Sequence, residues 1–396
     1  MTTKPPQETK PPQETKPPQG TKPAAFIYSP ALEEYTYPPS HPFDTIRAKK
    51  TREIVNSMGL LAAPDEVEVP PEPADRLVLK KFHSARYLHA LQKASKGKWD
   101  HEALSMGIGT ADCPVFAGLY EYALLAVGAT ITASHLILEG SARVAFNPSG
   151  GFHHAHSERA SGFCYINDVA LACYVLAEEG KKVLYLDVDV HHGDGVASAF
   201  YDRSDVMTIS LHQNPKTLFP GTGFENEIGS GIGRGYCVNV PLPIGTYDDA
   251  YMLAVKTVVL PLIKAFKPDV FVFELGADAL AGDPLANLAL TNNVYVDIIN
   301  HLLAFDKPIL MTGGGGYNIE NTVRAWALAW AVLCGADADV DANILVGGVM
   351  LQNTDWLGGL RDRILPLSSQ QRDSVLPALN STLDTLKATL FPLHGL

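Results

Sequence analysis

Six short apolar segments rich in β-branched residues recur along the chain, and they constrain its fold more than any other feature. They comprise residues 143–147, 182–190, 206–212, 236–240, 269–275 and 308–312. Several are apolar over almost their whole length, as strands buried on both faces of a parallel sheet must be. Segments with helical patterning lie between them, among them 167–179, 251–266 and 294–305. This alternation predicts a single α/β domain, because parallel strands need long crossover connections, usually helices.

Residues 1–24 contrast with this domain. They carry a tandem Thr-Lys-Pro-Pro-Gln-Glu hexamer and seven of the 28 prolines, and no large apolar residue follows Met1 until Phe26. Such a segment cannot bury enough surface to offset the entropy lost on ordering. We predict a disordered Pro-rich tail over 1–24, acting as a solubilising spacer, and one folded domain over 25–396.

Composition argues against several classes of protein. A formal charge of −12 would repel phosphate backbones, so direct nucleic-acid binding is not expected. Five cysteines with no Cys-x-x-Cys pair indicate reduced thiols in a reducing compartment. The longest apolar run, 325–336, is shorter than the ~20 residues that span a bilayer, and the N-terminus has no apolar signal-peptide segment. We therefore expect a cytoplasmic protein with no membrane attachment.

Carboxylates and a histidine interrupt one of the most apolar segments. Asp187, Asp189 and His191 alternate along 182–190 and just beyond it, which would place them on one face of a strand. Two buried carboxylates side by side repel each other and lose their hydration unless a cation compensates. A third carboxylate, Asp278, follows another predicted strand. One imidazole and two carboxylates around an open position suit a catalytic divalent cation, with Zn²⁺ as the first choice and Fe²⁺ as the alternative.

A histidine cluster and a glycine run also follow predicted strands. The histidines are His153, His154 and His156. In the run, glycines at 313–316 allow the backbone to approach a ligand closely, and the hydroxyl of Tyr317 can donate to a developing oxyanion. The run lacks the Gly-Lys-Ser/Thr ending of a phosphate-binding loop. Two further carboxylates, taken alone, fit helix caps or turns: Asp194 and Asp283.

Six motifs stand in a fixed order along the chain. They are Gly-Gly-Phe-His-His-Ala at 150–155, Ser-Gly-Phe-Cys-Tyr-Ile-Asn-Asp at 161–168, Asp-Val-Asp-Val-His-His-Gly-Asp-Gly at 187–195, Phe-Pro-Gly-Thr-Gly at 219–223, Leu-Gly-Ala-Asp at 275–278 and Gly-Gly-Gly-Gly-Tyr-Asn at 313–318. In order and spacing they resemble the zinc-dependent histone deacetylase family over almost the whole chain after the tail. The segment His-Pro-Phe-Asp-Thr-Ile-Arg at 41–47 is most similar to the bacterial acetoin-utilisation deacetylases of that family. The resemblance implies that 25–396 form a catalytic domain with the arginase/deacetylase fold, a central eight-stranded parallel sheet flanked by helices.

The resemblance also implies roles for individual residues. The matched zinc ligands are Asp189, His191 and Asp278. The matched catalytic residues are His153, His154, Asp187, Asp194 and Tyr317. Of these, His154 would act as general base and then general acid, with His153 as electrostatic support. Asp187 and Asp194 would orient His153 and His154 respectively, and Tyr317 would donate to the tetrahedral oxyanion.

Further matched positions concern the substrate and structural ions. The acyl-lysine tunnel and its rim correspond to Asp112, Gly162, Phe163, Phe219, Leu285 and Gly315. Arg47 corresponds to the arginine of an internal acetate channel. K⁺ or Na⁺ would occupy an inner site at Asp187, Asp189, His191, Ser210 and Leu211, and an outer site at Phe200, Arg203, Val206 and Tyr236. Leu218 stands where better-known members have a second Phe, which leaves the acyl-chain preference open.

Three alternatives compete with a protein lysine deacetylase. A dinuclear ureohydrolase of the same fold would need carboxylates where the chain has Gly193 and Leu280, so that activity is disfavoured. An acetylpolyamine amidohydrolase shares the same chemistry and stays open as the alternative. A non-catalytic acyl-lysine reader is disfavoured because every expected chemical group is present. We expect hydrolysis of acyl-lysine in proteins or peptides, with acetyl-CoA synthetase among the candidate substrates, and we leave the oligomeric state open.

Overall fold

The apolar segments of the sequence form the strands of one sheet. The computed structural model describes residues 23–61, 66–98, 100–336 and 359–396, so the predicted tail lies outside the described residues except for Pro23 and Ala24. The strands are β1 (Ala24–Ile27), β2 (Glu66–Val69), β3 (Val144–Asn147), β4 (Val183–Asp187), β5 (Val206–Gln213), β6 (Cys237–Leu242), β7 (Val270–Glu274) and β8 (Ile309–Thr312). Their order across the sheet is β2-β1-β3-β8-β7-β4-β5-β6, and all neighbouring strands are parallel. The predicted eight-stranded parallel sheet is confirmed.

Helices connect and cover these strands. They are α1 (Ile46–Ser57), α2 (Arg76–Leu79), α3 (Ala85–Ser95), α4 (His101–Ser105), α5 (Leu119–Leu138), α6 (Asp168–Glu178), α7 (Asp194–Ala199), α8 (Asp248–Ala254), α9 (Leu260–Phe266), α10 (Asn293–Leu303), α11 (Ile319–Leu333) and α12 (Ser369–Leu390). A π-helical turn, Val255–Val259, joins α8 to α9 within the segment predicted as a single helix. Short 3₁₀ helices form at Pro30–Glu34, Gly231–Gly233 and Phe391–His394.

Side-chain alternation along the strands builds a core on each face of the sheet. On β4, Leu184 and Leu186 belong to the apolar cluster that includes α1 and α8–α12. Val183 and Tyr185 point the other way, into the cluster formed with α5, α6 and α7. Both faces are therefore covered, which explains why the strands read as continuous apolar runs.

The sequence pattern did not predict β1 and β2, and it predicted β4 to be longer than it is. β1 has only four residues and starts directly after the Pro-rich tail, so its first residue, Ala24, falls one position before the predicted domain start. β2 is an edge strand with the sequence Glu-Val-Glu-Val and lacks an apolar run. The segment predicted as a strand over 182–190 ends at Asp187. Asp189 and His191 therefore lie in the turn after β4, and strand alternation is the wrong explanation for their proximity to Asp187.

One helix, α5, has the length and apolar composition needed to cross a bilayer. Its most apolar 18-residue window has a mean hydropathy of 1.4, and 61% of that window is buried inside the protein. The helix packs against α6 and β3. Its composition is thus accounted for by burial in the core.

Candidate active site

Four central strands end at the place where the predicted site residues meet. β3, β8, β7 and β4 are neighbours in the sheet. The loops after them carry the histidine pair, the glycine run, Asp278 and the turn with Asp189 and His191. Ligand sites of open parallel sheets form at this carboxyl edge.

Asp189, His191 and Asp278 form a buried group of potential metal ligands. His191 Nδ1 lies 3.1 Å from Asp189 Oδ1 and 3.0 Å from Asp278 Oδ2. The ligand atoms of the three residues all lie within 4.8 Å of one another. Backbone N–H groups hold the outer carboxylate oxygens, because Gly315 donates to Asp189 Oδ2 at 2.7 Å and Val190 donates to Asp278 Oδ1 at 2.8 Å.

The charges of this group fit a divalent cation. Burial and the neighbouring Asp189 raise the pKa of Asp278 to about 7. Burial opposes a charge on His191, but hydrogen bonds to the two carboxylates raise the pKa of its imidazole to about 10. These raised pKa values mean that His191 and Asp278 bind protons, which supply the positive charge that a divalent cation would otherwise provide. A divalent cation bound to the group would displace these protons. Two carboxylates and one imidazole are a donor set typical of catalytic Zn²⁺ or Fe²⁺ sites.

His153 and His154 lie beside this group and face each other. Their Nε2 atoms are 3.0 Å apart, and His153 Nε2 is 3.9 Å from Asp189 Oδ1. Both imidazoles are buried. Their other ring nitrogens point in different directions, toward different carboxylates.

The outer nitrogen of His153 meets two carboxyl groups. Nδ1 lies 3.1 Å from Asp187 Oδ2 and 3.1 Å from Glu274 Oε1. Burial alone would lower the pKa of His153, but the negative charge of the acidic groups around it, Asp187 and Asp189 among them, raises it well above its ordinary value. His153 is therefore an imidazolium at neutral pH.

Tyr185 joins these two carboxyl groups. Its hydroxyl oxygen is 2.8 Å from Asp187 Oδ2 and 2.6 Å from Glu274 Oε2. A hydroxyl has one hydrogen to donate, so one of the two carboxyl groups must keep its own proton and donate to the tyrosine oxygen. Burial raises the pKa of both groups, but it raises that of Glu274 well above its ordinary value, whereas His153 opposes the rise at Asp187 by a direct hydrogen bond; Glu274 is therefore assigned the proton and Asp187 the charge.

The outer nitrogen of His154 meets a single carboxylate. Nδ1 lies 2.8 Å from Asp194 Oδ1, and the other oxygen of Asp194 lies 3.1 Å from His156 Nε2. Burial and the positive charges of His153 and His191 combine to lower the pKa of His154 to about 4. His154 is therefore neutral at neutral pH.

These states assign every ring hydrogen of the pair. His153 carries hydrogens on both nitrogens and donates Nε2–H to His154 Nε2, whereas His154 keeps its single hydrogen on Nδ1 for Asp194. The lone pair on His154 Nε2 accepts this bond, so it can take a proton from an attacking water only after the bond to His153 breaks. The pair provides a base at His154 and a fixed positive charge at His153.

The Tyr317 loop is held by two residues from distant parts of the chain. Asp283 Oδ2 accepts the backbone N–H of Tyr317 at 2.7 Å, and Asp283 Oδ1 accepts that of Leu285 at 2.9 Å. Asp283 therefore forms the predicted turn and also anchors Tyr317. Buried Arg47 donates from Nη1 to the carbonyl oxygens of Gly314 and Gly316 at 3.0 and 2.9 Å. Burial raises the pKa of Tyr317 well above its ordinary value, so its hydroxyl keeps a hydrogen to donate.

Aromatic rings surround the approach to the histidine pair. The ring of Phe219, 45% exposed, lies edge-on to His154 with centroids 5.0 Å apart. Phe163 stands edge-on to Tyr317 at 5.7 Å and to His41 at 4.5 Å. The role of Phe163 and Phe219 as tunnel walls stays a prediction, and His41, for which no role was predicted, contacts Phe163.

Asp112 and Gly162 lie next to these rings. Asp112 Oδ2 accepts the backbone N–H of Gly162 at 2.8 Å, so the predicted rim carboxylate also braces the loop that carries Phe163. A Cβ at Gly162 would lie 2.2 Å from Cδ2 of His154. The close packing of this loop against the His154 imidazole therefore requires a glycine at position 162.

The predicted monovalent-cation sites are placed near β4 and β5. Asp187 pairs in register with Ser210, and Leu211 follows on the same strand. At the outer site, Arg203 N donates to Phe200 O at 3.1 Å and Thr208 N to Tyr236 O at 2.8 Å; Val206 starts β5. Both sites stay predictions.

The sequence did not indicate a role for two residues of the site, Glu274 and Tyr185. For a third, Asp283, it indicated only a turn. Glu274 ends the apolar strand β7, and a carboxyl group inside such a strand was a usable signal. Tyr185 carries no such signal, because tyrosine is common in strands. The anchoring role of Asp283 depends on a contact across 34 residues of sequence, which no local pattern encodes.

Comparisons with known proteins find related sequences and a related structure. The family model for the histone deacetylase domain matches residues 41–333, a range that includes Arg47, the histidine pair and Tyr317. The acetoin utilization protein AcuC of Bacillus subtilis (strain 168) is 42% identical over 322 residues, which cover 79% of this chain and 83% of that protein. Histone deacetylase 8 of Xenopus laevis is 42% identical over 269 residues, 67% of this chain and 82% of that protein. The crystal structure of an HDAC homolog from Aquifex aeolicus matches with a TM-score of 0.78 and 31% identity, over 91% of this chain and 100% of that one.

Proposed function

Because the chain belongs to the histone deacetylase family, we propose that it is a zinc-dependent hydrolase that removes acetyl or other short acyl groups from the Nε atom of lysine in proteins or peptides. The observation that carries this proposal is the geometry of the histidine pair, in which Nδ1 of His153 contacts Asp187 and Nδ1 of His154 contacts Asp194, next to the ligand group of Asp189, His191 and Asp278. This is the arrangement that hydrolysis of an unreactive amide needs.

The ligand group would hold the metal. When bound there, Zn²⁺ would lower the pKa of a water and polarise the carbonyl of the scissile amide. Fe²⁺ could supply the same chemistry. The hydrogen bonds from Val190 and Gly315 fix the orientation of both carboxylates that would hold the ion.

His154 moves the proton. Its Nε2 accepts a proton from the attacking water while Nδ1–H stays on Asp194, and the resulting imidazolium then donates that proton to the lysine nitrogen as the C–N bond breaks. The products are a carboxylate and a free lysine amine. His153 stays charged throughout, because the carboxylate of Asp187 accepts its Nδ1–H.

Tyr317 donates its hydroxyl hydrogen to the oxyanion that develops on the acyl carbon. One such donor is worth about 3 kcal/mol of transition-state stabilisation. Arg47 sets the path of this loop through its bonds to Gly314 and Gly316, and it faces a small cavity with Phe43 and Tyr122 that we assign to acetate release.

Protein or peptide lysine is our preferred substrate over acetylpolyamines. This preference is supported by the 42% identity to an acetoin utilization protein and by the segment at 41–47, which is similar to the acetoin-utilisation deacetylases. We also propose K⁺ or Na⁺ at the two structural sites, a cytoplasmic location, and acetyl-CoA synthetase as one candidate substrate. Acetylpolyamine hydrolysis is the alternative function, since the same groups would perform it.

A substrate panel tests the proposal. Purified protein with measured metal content is assayed on peptides with acetyl-, longer-acyl- and lactyl-lysine and on acetylated polyamines. We expect zinc-dependent release of acetate or a short acyl acid from lysine peptides, and loss of about 10²-fold or more in kcat for Tyr317→Phe. A higher kcat/KM on N-acetylputrescine would move the protein to the alternative class, and full activity of Tyr317→Phe would contradict the oxyanion role.

A further inference from the structure

His156 is a third imidazole at the active site that the mechanism above leaves unused. Its Nε2 contacts Asp194 Oδ2 at 3.1 Å, the oxygen opposite the one that accepts from His154. Ser198 Oγ lies 3.4 Å from the other ring nitrogen of His156. The side chain is 23% exposed, so it lies between the buried pair and the surface.

Asp194 is held in place by donors on both of its oxygens. Oδ1 accepts from His154 Nδ1 and from the backbone N–H of Gly195 at 3.0 Å, and Oδ2 accepts from His156. Burial alone would raise the pKa of Asp194, but the hydrogen bonds from the two imidazoles lower it well below its ordinary value. Asp194 is therefore a carboxylate that accepts from both sides.

The bond to His156 prevents the carboxylate from turning. Rotation about the Cβ–Cγ bond of Asp194 would move Oδ1 away from His154, and the contact on Oδ2 opposes that rotation. If Oδ1 left His154, the ring hydrogen could shift to Nε2, and the imidazole would no longer be a base on the substrate side.

We propose that His156 is a positioning residue: by holding Asp194 Oδ2, it keeps Asp194 Oδ1 on Nδ1–H of His154 and leaves Nε2 of His154 free as the base. The proposal rests on the function proposed above. Because His156 acts through Asp194 on proton transfer, its loss should change turnover and leave substrate binding unaffected.

Three substitutions of His156 separate this role from a structural one. His156→Leu removes the donor, and His156→Asn keeps a polar group that is too short to reach Asp194. His156→Gln places an amide N–H where Nε2 was. We expect kcat on an acetyl-lysine peptide to fall about tenfold for His156→Leu and His156→Asn, with KM within about twofold of the wild-type value, and to stay within about threefold of the wild type for His156→Gln.

His301→Leu is the matched control, a partly exposed histidine on α10 away from the site. Metal content and melting temperature are measured for every variant. Wild-type inactivity on all acyl-lysine peptides would reject the proposed function, whereas an active wild type with unchanged kcat in His156→Leu and His156→Asn would reject the role of His156 alone.

A double-mutant cycle with Asp194→Asn provides the decisive readout. If His156 acts through Asp194, His156→Leu should change kcat less than about twofold in the Asp194→Asn background. An equal loss in both backgrounds would overturn the proposal, because His156 would then act independently of Asp194.

Discussion

Two histidines that are adjacent in sequence occupy opposite electrostatic environments. His153 meets Asp187 and Glu274, which end two neighbouring strands of the sheet, and the pKa of His153 is well above its ordinary value. His154 meets only Asp194, a carboxylate shared with His156, and the pKa of His154 falls to about 4. The difference teaches that the charge of each imidazole is set by the carboxyl groups behind it and by the positive charge of its neighbour.

This difference in pKa gives His153 and His154 different proposed roles. A charged His153 cannot accept a proton, and a neutral His154 can, so the carboxyl groups that the fold brings from β4, β7 and α7 support His154 as the base of the proposed mechanism. Each prediction below tests one side of the comparison against the other.

Removal of each imidazole should have unequal effects. We expect His154→Ala to lower kcat about 10³-fold, because general acid–base catalysis is lost. His153→Ala should lower kcat only about 10- to 10²-fold, because it removes a charge and no proton acceptor. Steady-state kinetics on an acetyl-lysine peptide, at equal metal content, measures both. Equal losses would contradict the division of roles.

Crowding of His154 alone should also reduce activity. A Cβ at Gly162 would lie 2.2 Å from the His154 ring, so Gly162→Ala should displace the base and lower kcat/KM about 10²-fold. Gly180→Ala is the matched control, since Gly180 also has a positive φ but no neighbour within 4 Å of the added Cβ. Gly180→Ala should lose about 1–2 kcal/mol of stability from left-handed strain, and Gly162→Ala should lose more because its Cβ also overlaps the His154 ring. An active Gly162→Ala protein would show that His154 tolerates displacement.

The two carboxyl groups behind His153 should differ in sensitivity. Asp187→Asn removes the carboxylate that stabilises the imidazolium, and we expect kcat to fall about tenfold. Glu274→Gln should change kcat less than about threefold, because an amide replaces a protonated carboxyl of the same shape. Kinetics of both variants, with melting temperatures as the control for folding, test the assignment. A larger loss for Glu274→Gln would mean that Glu274 is the ionised member.

The pH profile should reflect the lowered pKa of His154. The neutral imidazole is the active form, so kcat/KM should be lost only as pH falls through about 4. Because His154 stays neutral between pH 7.5 and pH 6, we expect its titration to change kcat/KM by less than about twofold over this range. The profile is measured at constant metal content, because protonation of the ligands also releases metal. An acidic limb near pH 6.5 would show that His154 titrates as an ordinary histidine.

Much of the fold was predictable from local patterns. Six of the eight strands, β3 to β8, have apolar runs that mark them, because burial on both faces requires such runs. The short β1 and the edge strand β2 have no comparable run, and the end of β4 at Asp187 depends on its neighbours. The ligand group was also predictable, since buried carboxylates in apolar surroundings need a cation.

The sequence by itself determined the sheet, the carboxylates that need an ion, and the set of histidines from which the base is drawn. Only the tertiary structure decided that Glu274 and Tyr185 lie behind His153, that Asp283 anchors Tyr317, and that His156 shares Asp194 with His154. The physical reason is that strand and helix periodicities are local, whereas the protonation state of a buried group depends on whichever charged neighbours the fold places within a few ångströms of it.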